Sequence, residues 1–549
     1  MKTKPKIYVC YLLLAAMMLP GGFGCWKKAE LQVVNLTKYL DVPEGRQEEI
    51  WELIRIQGEV AGYRNTILSR LTEDGEAVYQ VSQEDVIVPN RLGVQSSGRI
   101  ETVVRQKRDG TFLQGDIIVS SSGQPMLTQY RPDPESYTMI RQAATMTIDP
   151  VTGEEVPNAD PSKRTLPWKP GTLGPFAKQF SLWDKPLAPG EQRTFEYFDL
   201  LLEQPVTVEL VADKMERLLY NNVETNLLPV VETTRIGEMT ITSHLWMDGG
   251  GNIVKTTLNE PYSMELSLST QEKVESAIQN AGGVNPILFA LVRVQGSISQ
   301  PRTTQKVEFQ LHRVNPRGSN VPVAGFLTMF PTTAFQSVSV VDENTLNVTV
   351  TASSPQVLTA LYGSVVPPAP KENTVPGDTL RNEWIQSDSE AVEALAAAAT
   401  KITYPSWDLL VDLERFVSQK MQRVNYQYSF ASAAEVAETL QGDSAGYAVL
   451  LAAIARVKKI PARVVVGLVY TNTNMNEGVF VPHFWTELFY DGHWHPFDAT
   501  ISQTAGPGGA DASRIVLARS NLADESLPAL VAKILPLLGH LQVAIKTGD

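Results

Sequence analysis

Only two cysteines occur in this 549-residue chain, and both of them, Cys10 and Cys25, lie near its amino terminus. A fold built from the rest of the sequence therefore has no disulfide, no thiolate metal ligand and no cysteine nucleophile. Its stability must come from packing and hydrogen bonding, and any nucleophilic chemistry must use another side chain.

The first 25 residues have the order of a bacterial secretory signal. Lysines are followed by an apolar segment at residues 7–20, and small residues then precede Cys25. The apolar segment is shorter than an ordinary transmembrane helix. Gly24 suits cleavage before a lipid-modified cysteine. We therefore predict an exported protein of the periplasm or cell envelope, which is either anchored through a lipid on Cys25 or simply secreted after cleavage nearby.

Length and charge limit the class of protein further. A chain of 549 residues exceeds one ordinary hydrophobic core, so several domains are expected. The formal net charge is −13, and no cluster of lysine and arginine provides a basic surface. Nucleic acid is therefore not predicted as a partner.

Residues 26–365 are predicted to form a β-rich N-terminal region. Short alternating segments are separated by turn signals such as Asp109-Gly110, which favour hairpins. An extended antiparallel sheet is the expected architecture. Residues 131–176 are rich in proline and turns, and we interpret them as a long connection that would allow two subdomains.

Residues 366–380 form the predicted linker, because this segment is proline-rich, polar and without hydrophobic periodicity. After it, helical patterns come first and strand patterns follow. We therefore predict an α+β chain whose second domain, residues 381–549, packs helices against an antiparallel sheet.

Two helix starts precede the candidate site. Ser432 and Glu435 form a capping-box pattern, and Asp443 or Ser444 caps a second helix whose apolar residues recur at helical spacing. Pro461 ends that helix, and a strand follows. Ser444 thus lies at the positive end of a helix dipole, a position that suits a nucleophile.

The register of the last hairpin can be obtained by counting. A two-residue Asp-Gly turn at 491–492 places Trp485 opposite Asp498, with His483 diagonal to Asp498 on the same sheet face. A hydrogen bond between His483 and Asp498 would fix the imidazole tautomer and leave its other nitrogen free to act as a base.

The same register argues against zinc. His493 and His495 point to the opposite face of the sheet, so a zinc site that combined them with His483 and Asp498 would need ligands on both faces. We therefore predict no metal site, and no organic cofactor is implied.

Two runs carry a resemblance to a known family. GDSAGYAVLLAAIARVKKIPARVVVG at residues 442–467 and HFWTELFYDGHWHPFDAT at residues 483–500 resemble the transglutaminase-like superfamily. The family pattern has a Gly-Asp-Cys helix start, an Ile-Pro-Ala-Arg turn, a His-x-Trp-x-Glu strand and a Trp-x-x-x-Asp strand. The resemblance implies a papain-like fold, in which a helix bearing the nucleophile packs on an antiparallel sheet.

The resemblance also implies the roles of individual residues. Ser444 occupies the nucleophile position, His483 is the base, and Asp498 orients the imidazole. Three further residues would surround these groups and hold them in position: Asp443, Trp485 and Glu487.

Ser444 is where this sequence departs from the family, whose nucleophile is a cysteine. A thiol at a helix N-terminus beside histidine can ionise before substrate arrives, with its pKa lowered to about 3.5–7.5. A serine hydroxyl must instead be deprotonated as it attacks, which requires a tightly aligned base. In an active site, the Ser444 hydroxyl should lie within hydrogen-bonding reach of one His483 nitrogen, with Asp498 on the other.

Two main hypotheses follow. The first is a pseudoenzyme of the bacterial envelope that binds peptide or protein in the cleft that corresponds to the family's active site. The second is an enzyme with a Ser444-His483-Asp498 triad, a hydrolase, peptidase or amidase that acts on peptide or glutamine-type amides. A third hypothesis gives the working role to the N-terminal sheet. Any membrane contact would come through a lipid on Cys25.

Overall fold

The computed structural model describes residues 40, 42–73, 75–88, 90–91, 94–95, 98–121, 125–148, 155–157, 162–220, 223–237, 239–258, 263–281, 291–314, 325–362, 369–423, 431–472, 478–501, 508–534 and 537–548. The predicted export signal and Cys25 lie outside these residues. Within them, no helix combines the length and the apolar character that crossing a bilayer requires.

The described residues divide into two compact units, one ending at residue 281 and the other beginning at residue 291. The division therefore falls earlier than the linker predicted at residues 366–380. The reason is long-range pairing, because strands from residues 292–351 join the same sheet as the C-terminal strands. The chain is of the α+β class, as predicted.

The described residues of the N-terminal unit form strands and helices. Its strands are β1 (Gln47–Ile56), β2 (Glu59–Glu73), β3 (Glu76–Ile87), β4 (Asn90–Arg91), β5 (Val94–Gln95), β6 (Gly98–Lys107), β7 (Phe112–Ser121), β8 (Met126–Asp133), β9 (Thr138–Ile148), β10 (Glu155–Pro157), β11 (Ser162–Pro167), β12 (Gln192–Asp199), β13 (Gln204–Ala212), β14 (Glu216–Tyr220), β15 (Val223–Ile236), β16 (Met239–Met247), β17 (Ile253–Leu258) and β18 (Met264–Ser269). Its helices are α1 (Ala177–Asp184) and α2 (Gln271–Gln279).

All of these strands except the small pair β4–β5 belong to one antiparallel sheet, in the order β10-β9-β8-β7-β6-β3-β2-β1-β18-β17-β16-β15-β13-β12, with β11 on β9 and β14 on β15. Helix α1 packs on the apolar face of this sheet, where the Phe180 ring meets Tyr79 edge-on at 5.3 Å. The predicted extended antiparallel sheet is therefore present.

Residues 131–176 are not the connection that the sequence predicts. They contain β9, β10 and β11 and the end of β8, and the strands on either side of them belong to one sheet rather than to two subdomains. Pro157 and Pro167 are the last residues of their strands. Proline is tolerated at strand ends because few ladder hydrogen bonds are lost there.

The C-terminal unit combines a second sheet with helices. Its strands are β19 (Val292–Gln295), β20 (Lys306–Arg313), β21 (Gln336–Asp342), β22 (Thr345–Thr351), β23 (Gln422–Arg423), β24 (Gln441–Gly442), β25 (Ala462–Asn472), β26 (Gly478–Tyr490), β27 (His493–Phe497), β28 (Arg514–Ser520) and β29 (Leu541–Gly548). Its helices are α3 (Pro355–Tyr362), α4 (Glu390–Ala399), α5 (Trp407–Lys420), α6 (Ala433–Thr439), α7 (Ser444–Val457) and α8 (Leu527–Ala532).

Nine strands of this unit form one sheet in the order β21-β22-β20-β29-β19-β26-β25-β28, with β27 on β26. A side chain links the two end strands of this path. The Gln336 side chain on β21 donates to the carbonyl of Val516 on β28 at 3.1 Å and accepts from the Val516 amide at 2.7 Å. Both partners are buried, so this glutamine replaces a missing rung between β21 and β28.

Helix α7 is the central helix of the unit, and all of its residues from Ser444 to Arg456 are buried. Thr486 on β26 donates a hydrogen bond to the carbonyl of Ala448, which fixes the helix on the sheet. The capping box predicted for α6 is present, since the Ser432 hydroxyl accepts from the Glu435 amide and the Glu435 carboxylate accepts from the Ser432 amide.

The described part of the predicted linker is packed rather than extended. The Glu372 amide donates to the carbonyl of Gly492 at 2.8 Å, and the Asn373 carbonyl accepts from the Trp494 indole at 3.4 Å. Glu372 also pairs with Arg519 at 3.3 Å. The partners of this segment lie more than a hundred positions away in the sequence. Local composition does not reveal them, and it therefore indicated a linker.

Gln336→Leu should destabilise the C-terminal unit by about 2–4 kcal/mol, because the Val516 amide and carbonyl would be left buried and unpaired. Gln310→Leu is the matched control, since Gln310 makes only an exposed side-chain contact with Asn347 in the described structure. We expect the control to change stability by less than about 0.5 kcal/mol. Denaturant unfolding of the full chain measures both, and equal effects would contradict the bridging role of Gln336.

Candidate functional site

Ser444 is the first residue of α7, and Asp443 caps the helix. One Asp443 oxygen accepts from the amides of Ala445 at 3.0 Å and Gly446 at 3.3 Å. The first amide of a helix has no intrahelical acceptor, and the Ser444 N–H is that amide in α7. The sequence therefore predicted both the start of the helix and the place of Ser444.

Burial raises the pKa of Asp443 to about 7, although the two capping amides act in the opposite direction. Its second oxygen, Oδ2, is buried without a hydrogen-bond partner in the described structure. The capping carboxylate therefore lies next to Ser444, and one of its two oxygens is unpaired in the described structure.

His483 and Asp498 meet as the hairpin register predicts. β26 and β27 pair antiparallel with Tyr490 opposite His493, and the His483 Nε2 lies 2.9 Å from Asp498 Oδ2. A carboxylate only accepts, so Nε2 carries the proton and Nδ1 presents a lone pair. Burial lowers the pKa of His483 despite the opposing charge of Asp498, which keeps the imidazole neutral.

Asp498 has a second partner, the cationic Arg514, which the sequence did not predict. Arg514 Nη1 lies 3.0 Å from Asp498 Oδ2, and Arg514 Nη2 lies 3.0 Å from Asp511. Burial acts to raise the pKa of Asp498, but His483 and Arg514 together outweigh it and hold that pKa below its usual range. Asp498 therefore stays ionised and keeps its hydrogen bond to His483.

Glu414 on α5 is the other missed residue. Its carboxylate accepts from the backbone amides of Asp498 at 3.0 Å and Gly508 at 2.8 Å. Burial raises the pKa of Glu414 to about 7, against these two hydrogen bonds. Glu414 is distant in sequence from both partners, and no local spacing rule would have found it or Arg514.

The Ser444 hydroxyl does not meet His483, which corrects the expectation for an active triad. Its Oγ accepts a hydrogen bond from the Phe484 amide at 3.2 Å. Among the described residues, there is no hydrogen bond between Ser444 Oγ and His483 Nδ1. Ser444 is 3% exposed. The hydroxyl is adjacent to the backbone that carries the base, but it is engaged as an acceptor.

The edge of β26 explains this contact. Residues 479–480 pair with β19 and residues 486–490 pair with β27, which leaves residues 481–485 between these two partners. Ser444 enters there, and its hydroxyl accepts from the amide of Phe484. The start of α7 thus fills a gap in the sheet.

Trp485 and Glu487 alternate along β26 with His483 and therefore lie on the same face of the strand. Trp485 is buried against valines of β25 and β28, and the Arg514 guanidinium lies 5.4 Å from its ring. Glu487 pairs with Arg463 at 2.7 Å. Trp485 packs against Arg514 and Glu487 pairs with Arg463, and in the described structure neither Trp485 nor Glu487 forms a hydrogen bond with Ser444.

His493 and His495 are buried, and each has a ring nitrogen against a carbonyl group, whereas His495 Nδ1 has no hydrogen-bond partner in the described structure. His493 Nε2 lies 3.0 Å from the Ala369 carbonyl, and His495 Nε2 lies 3.2 Å from the Tyr490 carbonyl. Burial lowers the pKa of His495 to about 4. In the described part of the chain, no group of three or more histidine, cysteine or acidic side chains is arranged to hold a metal ion.

Chemically, the site combines a neutral imidazole, oriented by an ionised aspartate, with a helix N-terminus. Such a pair can accept a proton from a nucleophile that lies against His483 Nδ1. The hydroxyl of Ser444 has no such contact in this structure. His483 is oriented as a base by Asp498, but the Ser444 hydroxyl is not aligned with it.

Arg514→Met should destabilise the C-terminal unit by about 3–5 kcal/mol, because it leaves Asp498 and Asp511 as buried carboxylates without their cation. The loss should be largest near neutral pH and shrink on acidification, since protonation removes the unpaired charges. Arg415→Met is the control, because Arg415 pairs with Asp412 on the surface at 3.2 Å and such pairs contribute little. Denaturant unfolding between pH 4 and 8 checks this, and a loss that is independent of pH would contradict the charge argument.

Comparisons with known proteins fit the C-terminal unit. Residues 393–499 match the model of the transglutaminase-like superfamily. The comparison with curated protein sequences gives no significant match.

Solved structures show weak similarity. A candidate cysteine protease from Cytophaga hutchinsonii is 16% identical, with 45% of this chain and 92% of that chain covered and a TM-score of 0.28. A β-barrel-like protein with a domain of unknown function from Brucella abortus is 13% identical, with 40% and 95% covered and a TM-score of 0.29. A TGase is 15% identical, with 47% and 65% covered and a TM-score of 0.17.

The family match spans the described helix start at Ser444 and both members of the His483–Asp498 pair. The chain thus contains a transglutaminase-like core at residues 393–499, within an α+β architecture.

Proposed function

We propose that this transglutaminase-like core binds a peptide or protein chain without transferring its acyl group. The observation that carries the proposal is the hydrogen bond from the Phe484 amide to Ser444 Oγ at 3.2 Å, in place of any bond between Ser444 and His483. A serine attacks only while a base removes its proton, so a hydroxyl that is not aligned with the base is a poor nucleophile.

The proposed ligand is an amide group of a peptide backbone or of a glutamine-type side chain. The Ser444 amide, at the first helical position, offers a donor to the amide carbonyl. His483 Nδ1 offers an acceptor to the amide N–H, because Nε2 is engaged with Asp498. One such donor and one such acceptor match the two polar groups of an amide.

The alternative is a Ser444-His483-Asp498 acyl-transfer enzyme. The observation that favours it is the complete charge arrangement behind His483, with Arg514 and Asp498 both buried and paired at 3.0 Å. If substrate binding moved the Ser444 hydroxyl from the Phe484 amide to Nδ1, the triad would be complete. Catalytic hydrogen bonds often tighten only when substrate is bound.

We propose further that the protein is exported to the bacterial envelope, with Cys25 as a lipid attachment site. The order of residues 1–25 supports this. Expression of the full chain in a Gram-negative bacterium, followed by fractionation and mass spectrometry of the N-terminus, tests it. Lipidated protein that becomes soluble in Cys25→Ala supports anchoring, whereas an N-terminus that still begins at Met1 contradicts export.

Wild-type protein should not react with a fluorophosphonate probe for activated serines, and Ser444→Ala should give the same low background. An active trypsin-type hydrolase serves as the positive control for the probe. Labelling of the wild type that disappears in Ser444→Ala would overturn the non-catalytic proposal in favour of the triad enzyme.

Ser444→Cys should react with iodoacetamide at pH 7 about tenfold or more faster than the double variant Ser444→Cys, His483→Gln, because a thiol beside His483 and a helix N-terminus ionises more readily. Peptide mass spectrometry separates this position from Cys10 and Cys25. Equal rates in the two variants would show that His483 does not reach the nucleophile position, which would contradict both functional hypotheses.

Binding is tested separately from chemistry. A glutaminyl peptide should raise the melting temperature of the wild type and release no ammonia. His483→Ala should abolish the shift, since it removes the acceptor. A panel of glutaminyl and other peptides that leaves the melting temperature unchanged would contradict the binding proposal, whatever the labelling result.

A further inference from the structure

The sheet of the N-terminal unit closes on itself through a short segment that is not a strand. β12 ends the path of the sheet, with β13 on one side. On its other side, Leu173 forms isolated bridges with Tyr197 of β12 and with Thr111, the residue before β7. Residues 170–175, which we call the strap, therefore connect β12 to β7 and complete a ring of strands.

The sequence of the strap, PGTLGP, explains why it is not itself a strand. Pro170 and Pro175 have no amide proton, so neither can donate a hydrogen bond to a neighbouring strand. Gly171 has a φ of 83°, which a regular strand does not use. Residues 172–174 are thus left to pair with the neighbours of the strap.

Two main-chain hydrogen bonds join the strap to the β6–β7 hairpin in the described structure. The Phe112 amide donates to the carbonyl of Thr172 at 3.0 Å, and the Gly174 amide donates to the carbonyl of Gly110 at 2.9 Å. These bonds hold one residue of the strap against one residue of the hairpin, which is the smallest unit of a ladder.

On the side of β12, the described main-chain contact of the strap is a single hydrogen bond. The Phe198 amide donates to the carbonyl of Leu173 at 3.0 Å. The shortest strand pairings of the ring, β16–β17 and β17–β18, each align four residues. The strap is therefore the joint of the ring that the fewest hydrogen bonds secure.

A buried polar group beneath the strap favours its opening. Gln106 of β6 is 0% exposed, and neither Oε1 nor Nε2 of its amide has a hydrogen-bond partner in the described structure. Gly174 lies against this amide, because a Cβ at Gly174 would be 3.3 Å from Gln106 Oε1. An unpaired buried amide is costly, and opening of the strap would let water reach it.

Contacts beside the strap hold the ends of the sheet together independently of it. The Tyr130 hydroxyl of β8 donates to the carbonyl of Leu200, in the turn after β12, at 2.6 Å. Glu203 of the same turn accepts from Arg141 of β9 at 2.6 Å and from Arg164 of β11. The ends of the sheet therefore stay joined when the strap leaves its place.

We propose that the strap opens and closes as one unit while the strands around it stay paired, and that the buried Gln106 amide shifts this equilibrium towards opening. Opening breaks all three main-chain hydrogen bonds of the strap together. It exposes the free edge of β12 and the Gln106 amide to solvent, so the strap controls access to both. The device is separate from the transglutaminase-like core and does not depend on the function proposed for it.

The test measures hydrogen exchange of single amides in the full chain, by mass spectrometry with electron-transfer fragmentation. The amides of Phe112, Gly174 and Phe198 report the three hydrogen bonds, and we call them the seam amides. They should share one protection factor, about tenfold or more below that of the amides between β2 and β3. Protection equal to that of the β2–β3 amides, or three unrelated values, would overturn the proposal.

A disulfide between the strap and the hairpin provides a locked form. Hydrogen bonds flank the Thr111–Leu173 bridge on both sides, and the Cα atoms of such a pair are about 4.5 Å apart, which suits a disulfide. The oxidised double variant Thr111→Cys, Leu173→Cys should slow exchange of the Phe198 amide about tenfold or more. The reduced form is the matched control and should exchange as the wild type does.

Peptide mapping confirms that the bond joins positions 111 and 173 rather than either native cysteine. In the oxidised form, slowing confined to the amides of Phe112 and Gly174 would overturn the proposal, because the strap would then leave β12 without leaving the hairpin and would not move as one unit.

Gln106→Leu tests the part played by the buried amide. Leucine needs no hydrogen-bond partner, so this variant should slow exchange of the seam amides about threefold or more and leave the β2–β3 amides unchanged. Gln47→Leu is the matched control, because Gln47 is exposed on β1, and it should keep the wild-type rates. Seam exchange that is unchanged or faster in Gln106→Leu would overturn the role of Gln106. If this variant does not fold, the disulfide variant decides.

Discussion

The carboxylate of Asp498 connects three parts of the C-terminal unit that are distant in sequence. Its Oδ2 receives His483 of β26 and Arg514 of β28, and its backbone amide is held by Glu414 of α5. Because the carboxylate is buried, each of these contacts acts in a medium of low polarity, where a charge is costly without its partner. The base of the candidate site is therefore held by buried contacts that do not include Ser444.

Ser444 and the His483–Asp498 pair are held by separate sets of contacts. Ser444 is held by α7 and by the amide of Phe484, and neither contact passes through the imidazole. In the described structure, no hydrogen bond joins the Ser444 side chain to the His483–Asp498–Arg514 arrangement. The structure has an oriented base without an aligned nucleophile, whereas an active triad has both.

Local patterns in the sequence were sufficient for much of the site. The Asp-Gly turn at 491–492 set the register of β26 and β27, and the cap at Asp443 set the start of α7. Both depend on neighbours within a few residues. Arg514, Glu414 and Gln336 were missed because their partners lie 16, 84 and 180 positions away. Such contacts arise from the fold and leave no periodic signal.

The same distinction accounts for the errors in domain organisation. Proline-rich composition predicted a connection at residues 131–176 and a linker at residues 366–380, yet strands and packed contacts occupy the described parts of both. Proline restricts the backbone locally, but partners elsewhere in the chain decide whether a segment packs. The boundary of the C-terminal unit lies earlier because β29, the last strand, pairs with β19 and β20.

The two units place buried acids on their sheets in contrasting ways. Asp498 has a guanidinium and an imidazole against it, and its pKa lies below the usual range. Glu52 has neither a hydrogen bond nor an ion pair in the described structure, and burial raises its pKa to about 8. Burial is the largest influence on both acids, so the direction of each shift is decided by whether a paired cation outweighs it. A carboxylate with its cation in place orients another group, whereas burial without a paired cation favours the protonated form.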